Sequence, residues 1–339
     1  MADIFIFRID HHGSLVRPAE VATDVDAAVR SAIKLNTDLR QTQLTDGQYR
    51  RQDVRDVILA SASGFEKTDE RDADGFVVWK ATGEVSGRGS AVAEAEFLLA
   101  NVTEHATVRA VKISLPSPAY LAEHTFDPSG PYASRRELGL AIADVVKAEI
   151  EALFAAGVRY VQLDNPDYSA HYSGAEVGAA TPQLGVLDAI EIDNAAVTGL
   201  DKPEDARLAI CVDWGQYPAD AADEQVAFEV FDTLRFDKFQ IPYFDDVFAG
   251  QNLIQFIPDG VFVGLGIVDA TTPELEDVDA IMNRMDQAFA LKDLDEIAVT
   301  PSRGFQDAAY LPAPLTIAEQ NHKLTHVETI ARMCWGNEL

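Results

Sequence analysis

The chain has 339 residues, of which 47% are hydrophobic and 9% aromatic, and its formal net charge is −29. This length suits one large α/β barrel or two ordinary domains. The negative charge argues against nucleic acid and anionic membranes as partners, because each phosphate contact needs a Lys or Arg. The acidic residues are spread along the whole sequence, which indicates a highly solvated surface of the kind also suited to high salt.

The sequence carries no sign of a membrane span or of secretion. No apolar run approaches the roughly 20 residues that cross a bilayer. The opening stretch "MADIFIFRID" has no basic leader and is typical of a first strand. The two cysteines, Cys211 and Cys334, are too far apart in sequence to suggest a disulfide framework. We therefore expect a cytoplasmic protein.

Eight β-rich runs alternate with helical segments. Most are continuous apolar runs, as expected of parallel strands buried on both faces. The intervening segments have helical periodicity, as in 134–157, where Ser134 is a candidate N-cap and Gly157 a candidate terminator. This pattern predicts a single α/β domain over residues 1–339, a (β/α)8 TIM barrel. The eight runs cover residues 4–10, 43–47, 108–116, 159–166, 207–214, 238–244, 261–269 and 296–302.

One interval departs from this pattern. Residues 75–105, "GFVVWKATGEVSGRGSAVAEAEFLLA" and its flanks, alternate in the manner of a strand around Gly-rich turns. We expect an inserted β-hairpin or a small excursion between the second and third strands of the barrel.

Polar residues crowd the predicted strand ends, where barrels of this kind place their chemistry. Some of them are expected to be only caps or turn formers. Six segments that contain these ends resemble the catalytic barrel of cobalamin-independent methionine synthase, and its single-barrel relatives most closely. They are "DHHGSLVRP" (10–18), "TDGQYRR" (45–51), "KISLPSP" (112–118), "VQLDNPDY" (161–168), "VGLGIVDATTPELE" (263–276) and "VTPSRGF" (299–305).

The resemblance implies an enzyme that moves an alkyl group to a thiol held by zinc. The family's zinc ligands correspond to Cys211, Asp213, Pro242 or its neighbour, and Arg303. Proline cannot ligate zinc, and arginine is a fixed cation with no lone pair to give. We therefore expect a degenerate zinc site, with no metal and no other cofactor. The open alternative is zinc in a rebuilt site, where Cys211 and Asp213 are joined by His171 or another side chain.

Other family positions are kept or altered. Gly13 and Ser14 match the turn that holds the substrate carboxylate, and Asp164 matches the aspartate that meets the substrate amine. Gln48 stands where the relatives have glutamate, and Thr271 stands where the synthases have a histidine that relays a proton. These changes argue against an amino-acid thiol such as homocysteine as the substrate.

Two positions have competing interpretations. Arg303 suits a substrate carboxylate, phosphate or sulfonate, or alternatively an ion pair with Asp213. Cys211 is either an active thiol or a small buried residue of a barrel strand. His11 and His12 are candidate acid–base groups near neutral pH.

The hypothesis is a transferase-like enzyme of the methyl/alkyltransferase superfamily that acts on a small anionic substrate without the family's zinc. Asp164, His11 or His12 would move the proton, and Cys211 and Asp213 complete the catalytic group. A decarboxylase or lyase, zinc-dependent alkyl transfer through the rebuilt site, and a non-catalytic ligand-binding barrel are the alternatives, and a homo-oligomer is compatible with each. Substrate binding is assigned to Gly13, Ser14, Arg17, Gln48, Ser114, His171, Tyr243, Thr271 and Arg303.

Overall fold

A computed structural model describes residues 8–41, 43–102, 110–172, 182–214, 223–243 and 249–336, with backbone alone for 249–252. Seven parallel strands form one sheet, and each pairs with the next in chain order. They are β1 (Gln43–Leu44), β4 (Ala110–Pro116), β5 (Tyr160–Asp164), β6 (Arg207–Cys211), β7 (Lys238–Pro242), β8 (Phe262–Val268) and β9 (Ile297–Pro301). These seven strands fall within the predicted runs.

The first predicted strand is described only from residue 8 onward. Ile9 forms a parallel bridge with Val299 of β9, and the Asp10 amide donates to the Val299 carbonyl at 2.9 Å. On its other side this segment meets the chain after β1 through the Thr45 hydroxyl, 3.1 Å from His11 Nε2. The architecture is a curled parallel sheet with helices, consistent with a TIM-like barrel.

Helices connect the strands. Ser134 caps α5, where its hydroxyl accepts from the Glu137 amide, and Gly157 ends this helix with φ 107°, as predicted. No helix in the described ranges is long and apolar enough to cross a membrane. The α-helices are α1 (Val25–Asp38), α2 (Asp56–Leu59), α3 (Ala91–Asn101), α4 (Pro118–Thr125), α5 (Arg135–Ala156), α6 (Tyr168–Tyr172), α7 (Val186–Val197), α8 (Glu224–Thr233), α9 (Val278–Leu291) and α10 (Ile317–Trp335), and short 3-10 helices cover Ala19–Ala22, Ala249–Phe256 and Leu294–Glu296.

The predicted insertion needs a correction in its limits. An antiparallel hairpin is present, but it pairs β2 (Ser63–Arg71) with β3 (Val77–Ser86), so half of it precedes the predicted interval. β2 is polar and largely exposed, so it lacks the alternation that marks a strand. The end of the interval is helix α3, whose buried Ala91, Ala95 and Leu98 follow a helical spacing.

The interior of the curled sheet is polar at its centre. Asp10 is fully buried, and its carboxylate accepts from Lys112 Nζ of β4 at 2.8 Å and from Lys238 Nζ of β7 at 2.6 Å. Tyr160 of β5 and Gln240 of β7 also donate to it, at 2.7 and 2.8 Å. One carboxylate therefore joins the first segment to three strands and supports the strand ends above it.

Candidate functional site

A small cavity lies at the carboxyl ends of the strands. Ser114 of β4 and Asp164 of β5 contribute polar walls, and Gln48 reaches in from the loop after β1. Tyr120 and Trp214 supply aromatic walls. The cavity therefore lies where the sequence predicts the chemistry of a barrel to be.

Asp164 contributes a carboxyl group to the cavity wall. Gln162, two residues earlier on β5, donates to Asp164 Oδ1 from Nε2 at 2.6 Å. Burial outweighs this hydrogen bond and the nearby Lys112 and Arg51, and raises the pKa of Asp164 to about 7. A carboxyl group with this pKa can both give and take a proton near neutral pH.

Cys211 ends β6 directly opposite Asp164 in the ladder with β5. Its side chain is fully buried, and Sγ donates to the Asp213 carbonyl at 3.2 Å. Burial, with Asp164 adding to it, raises the pKa of the Cys211 thiol well above its usual value. In the metal-free protein Cys211 is therefore a protonated thiol and not an activated nucleophile.

The two adjacent histidines have different environments. The Gly13 amide donates to His11 Nδ1 at 3.2 Å, and Thr45 Oγ1 lies 3.1 Å from His11 Nε2, so both ring nitrogens hold the turn together. Burial, with Lys112, lowers the pKa of His11 to about 4. Nδ1 of His12 is buried and has no hydrogen-bond partner in the described part of the chain. His12 is thus the histidine with unfilled bonding capacity.

His12, Asp164 and Cys211 form a cluster. One potential ligand atom from each lies within 4.8 Å of the other two. The sequence instead pairs Cys211 with Asp213, but the Asp213 carboxylate accepts from the Tyr172 hydroxyl at 3.3 Å. Among the described residues, the potential ligand atoms near Cys211 are therefore those of His12 and Asp164.

The turn after the first strand brings the predicted binding residues together. Gly13 has φ 123°, and a Cβ there would lie 2.9 Å from Gln48 Nε2. Gln48 itself has φ 55°, and its Oε1 is buried with no partner among the described residues. Ser114 Oγ donates to the His12 carbonyl at 2.5 Å. Ser14 is buried beside Gly304. A Cβ added at Gly304 would clash with the Ser14 hydroxyl.

Arg17 belongs to the same loop but faces its backbone. Its guanidinium donates to the carbonyls of Gln48 at 2.9 Å and Tyr49 at 2.7 Å, and also to that of Arg51. Arg17 therefore holds the loop that carries Gln48, and its guanidinium is already committed to the protein.

Arg303 lies beside the cavity. Its guanidinium pairs with Asp307 four residues later and stacks over the Trp214 ring, with Cζ 4.7 Å from the ring centre. The carboxylate that pairs with Arg303 is thus that of Asp307, where the sequence offered an ion pair with Asp213 as one of two alternatives. Trp214 lines the cavity and also stacks on Arg303, so the guanidinium lies next to the cavity wall.

Three predicted binding residues lie elsewhere. His171 lines a separate small cavity with Tyr168 and Asn165. Tyr243 points away from the strand ends, where its hydroxyl donates to the Arg284 carbonyl at 3.1 Å. Thr271 is exposed and its hydroxyl and amide both donate to Asp269.

The structure also adds residues that the sequence does not single out. Arg51 lines the cavity, donates to the Ser114 carbonyl at 2.9 Å and forms a buried pair with Glu94. Tyr120 and Trp214 complete the wall, with ring centres 6.3 Å apart. Arg51 could have been found from the sequence, because it ends the segment "TDGQYRR" that resembles the family. Tyr120 and Trp214 could not, because an aromatic residue in a helix or after a strand is typical of the core.

The family's zinc ligands are not retained at their own positions. Pro242 ends β7 in the ladder with Gly266 and offers no side-chain donor atom. Arg303 is committed to Asp307 and Trp214. The residues at these positions therefore do not fit the family's zinc ion.

Comparisons with known proteins agree with this architecture. Bacillus subtilis YxjH is 26% identical over 371 residues, covering 97% of this chain and 95% of that protein. The structure of a putative vitamin-B12 independent methionine synthase from Listeria monocytogenes superposes with a TM-score of 0.76 at 22% identity, covering 98% of this chain and 99% of that one. The resemblance to cobalamin-independent methionine synthase barrels is confirmed.

Two enzymes with assigned reactions are also similar to this methionine-synthase-like barrel. The methionine synthase of Pyrococcus abyssi is 23% identical over 205 residues, 60% of this chain and 53% of that protein. The 2-hydroxypropyl-CoM lyase of Xanthobacter autotrophicus is 24% identical over 251 residues, 66% of this chain and 62% of that protein. A scan against protein-family models finds no match.

Proposed function

We propose that this chain is an enzyme that carries out carbon–heteroatom chemistry, transferase-like or lyase-like, on a small anionic substrate. The observation that carries the proposal is the unfilled hydrogen-bonding capacity of one residue that lines the cavity and of one that lies beside its Asp164. Gln48 Oε1 and His12 Nδ1 are buried without partners in the described ranges, and buried polar groups normally have partners. A bound substrate supplies such partners.

The fold proposed for this enzyme is a single closed (β/α)8 barrel over residues 1–339. The bridge between Ile9 and Val299 supports closure, since it sets the first segment beside the last strand. Closure brings the turn at Gly13 and Ser14 to the same rim as Asp164 and Cys211.

Arg303 is proposed to bind the anionic group. A guanidinium stacked on an aromatic ring keeps its in-plane N–H donors directed outward, where they suit carboxylate or sulfonate. Asp307 occupies part of that fork, so substrate binding would exchange this carboxylate for the substrate's anion. The Gly13–Ser14 turn is proposed to contact the same substrate.

Asp164 is proposed to transfer the proton in the metal-free protein. Its pKa of about 7 gives both protonation states comparable populations at neutral pH. Gln162 holds one oxygen of the carboxylate, which fixes its orientation toward the substrate.

The relatives support this substrate class. One is named for a reaction of coenzyme M, a thiol that carries a sulfonate. Methionine synthases are also relatives, but Gln48 in place of a carboxylate weakens any site for an amino group. A small anionic thiol is therefore the first probe to test.

The test measures thermal and urea unfolding with 2-mercaptoethanesulfonate, and with the cationic thiol 2-aminoethanethiol as the matched probe. We expect 2-mercaptoethanesulfonate, but not 2-aminoethanethiol, to stabilise the protein. The free energy of unfolding should rise by about 2.7 kcal/mol at a concentration about 100 times its Kd. Arg303→Gln should abolish this stabilisation. Arg332→Gln removes another Arg paired four residues away, with Glu328 on α10, and should leave it unchanged.

Equal stabilisation of wild type and Arg303→Gln, or by both thiols, would contradict the anion site.

Thiol alkyl transfer through a bound metal is the second candidate function. The convergence of His12, Asp164 and Cys211 favours it.

A further inference from the structure

We propose that His12, Asp164 and Cys211 form a three-ligand site for a thiophilic divalent cation of the zinc type. Their potential ligand atoms lie within 4.8 Å of one another. They come from the first turn and from the ends of the neighbouring strands β5 and β6. This geometry is the starting point of the inference.

The backbone holds each member in place. Asp164 and Cys211 are direct partners in the β5–β6 ladder, and the Asn165 amide donates to the Cys211 carbonyl at 2.9 Å. His12 is anchored where Ser114 Oγ donates to its carbonyl. Each of the three residues is therefore anchored through its own backbone or that of its strand partner.

His12 supplies the observation that points to a ligand. Its side chain is 4% exposed, and Nδ1 is buried with no partner in the part of the chain that the structure describes. The neighbouring His11 has both nitrogens occupied. An imidazole left unpaired beside a thiol and a carboxylate is the arrangement that a metal ion satisfies.

Outer contacts orient the carboxylate ligand. Gln162 Nε2 donates to Asp164 Oδ1 at 2.6 Å, and Gln162 Oε1 accepts in turn from Gln240, which also donates to Asp10. Hydrogen-bonded ligating carboxylates are typical of protein metal sites. This chain of contacts leaves Asp164 Oδ2 as the second oxygen of the ligand.

The donor set defines the class of ion. One nitrogen, one oxygen and one sulfur suit a borderline-soft ion such as zinc and do not suit calcium or magnesium. Three protein ligands leave a coordination position open, as in catalytic and not structural zinc sites. That position would face the cavity lined by Ser114 and Trp214.

Two nearby cations each contact a carboxylate, and Lys112 shares that of Asp10 with Lys238. Lys112 Nζ donates to Asp10 Oδ1 and to the His11 carbonyl, and Arg303 pairs with Asp307. Their repulsion of a metal ion is therefore reduced. The site shares Cys211 alone with the family's ligand positions, so it is a different ligand set, displaced toward the first strand.

The experiment uses the full chain, stripped with a chelator and titrated with zinc or with cobalt(II). We expect one zinc ion per chain by elemental analysis, and a cobalt spectrum with the thiolate charge-transfer band and the intense bands of tetrahedral coordination. Cys211→Ser should remove the thiolate band. His12→Gln and Asp164→Asn should each weaken binding roughly ten-fold or more.

Cys334→Ala is the matched control, since Cys334 is the other free cysteine, and it should bind metal as wild type does. Circular dichroism checks that each variant is folded, and Cys211→Ala repeats the test if the serine variant unfolds. Absence of stoichiometric binding, or binding unchanged by all three substitutions, would overturn the proposal. Binding of 2-mercaptoethanesulfonate at Arg303 is measured separately, in the metal-stripped protein. Failure of the proposed anion site is thereby distinguished from failure of the metal site.

Discussion

At the scale of single residues, Asp164 places a carboxyl group where its charge is costly. Its folded-state pKa of about 7 exceeds the ordinary value of 3.8 because of burial. Between these two pH values the folded protein holds a proton that the unfolded chain has released. Stability therefore falls as the pH rises from about 4 to about 7, which is a cost typical of a functional site.

Asp164→Asn should remove this cost. Since the side chain is partly exposed, we expect the gain in the free energy of unfolding to grow by on the order of 2 kcal/mol between about pH 4 and about pH 8. Urea denaturation at both pH values measures it. Asp259→Asn at an exposed position should change stability by within about 0.5 kcal/mol. A gain for Asp164→Asn that does not grow with pH would contradict the assignment.

At the scale of elements, the backbones of β7, β8 and the end of β9 lie close together at Gly266 of β8. A Cβ there would lie 2.7 Å from Ser302 Cα and 3.2 Å from both the Ile241 carbonyl oxygen and Pro242 Cα. These are backbone atoms and cannot rotate aside. The ladder between β8 and β9 also shifts register between Gly266 and Val268, so this glycine determines how the last strands enter the site.

Gly266→Ala should destabilise the protein by about 1–3 kcal/mol, toward the upper end of that range, through overpacking. Urea denaturation measures the loss. At Gly185, the N-cap of α7, a Cβ would have its nearest contact at 4.0 Å, with Asp188, and Gly185→Ala should cost only about 0.5–1 kcal/mol, through the weaker cap. Equal effects of the two substitutions would show that close strand approach is not what Gly266 provides.

At the scale of the whole molecule, Asp10 holds the interior of the sheet together. Burial alone would raise the pKa of Asp10, but the ammonium groups of Lys112 and Lys238 outweigh it and keep this pKa well below its usual range. The carboxylate is thus ionised, fully buried and bonded to residues of β4, β5 and β7. Removing one partner of such a network leaves uncompensated buried charge.

Asp10→Asn should cost about 3–5 kcal/mol in the free energy of unfolding. Adding Lys238→Met to this variant should recover part of the loss, because one unpaired ammonium is then absent. Asp295→Asn breaks the ion pair of Arg8, whose partner is 73% exposed, and should cost about 1 kcal/mol or less. A small cost for Asp10→Asn would mean that the interior rearranges around the lost charge.

The sequence by itself determined the order and position of the strands, because each is a local apolar run, and it determined the family resemblance, because the motifs sit at the strand ends. It also carried Lys112 and Ser114, Gln162 and Asp164, and Lys238 and Gln240 as polar residues two apart within apolar strands. That spacing places each pair on one face of its strand. The exposed β2 lacked such a signal, so the hairpin limits were wrong.

Only the tertiary structure decided which side chains meet. It separated His12 from His11, paired Arg303 with Asp307, and joined Cys211 to Asp164 and His12 in place of Asp213. Adjacent residues at a strand end, such as His11 and His12, are of similar chemical type. The backbone conformation there decides which of the two side chains faces the cavity. That conformation is set by contacts between residues far apart in the chain, such as Lys112 with Asp10, which local sequence does not encode.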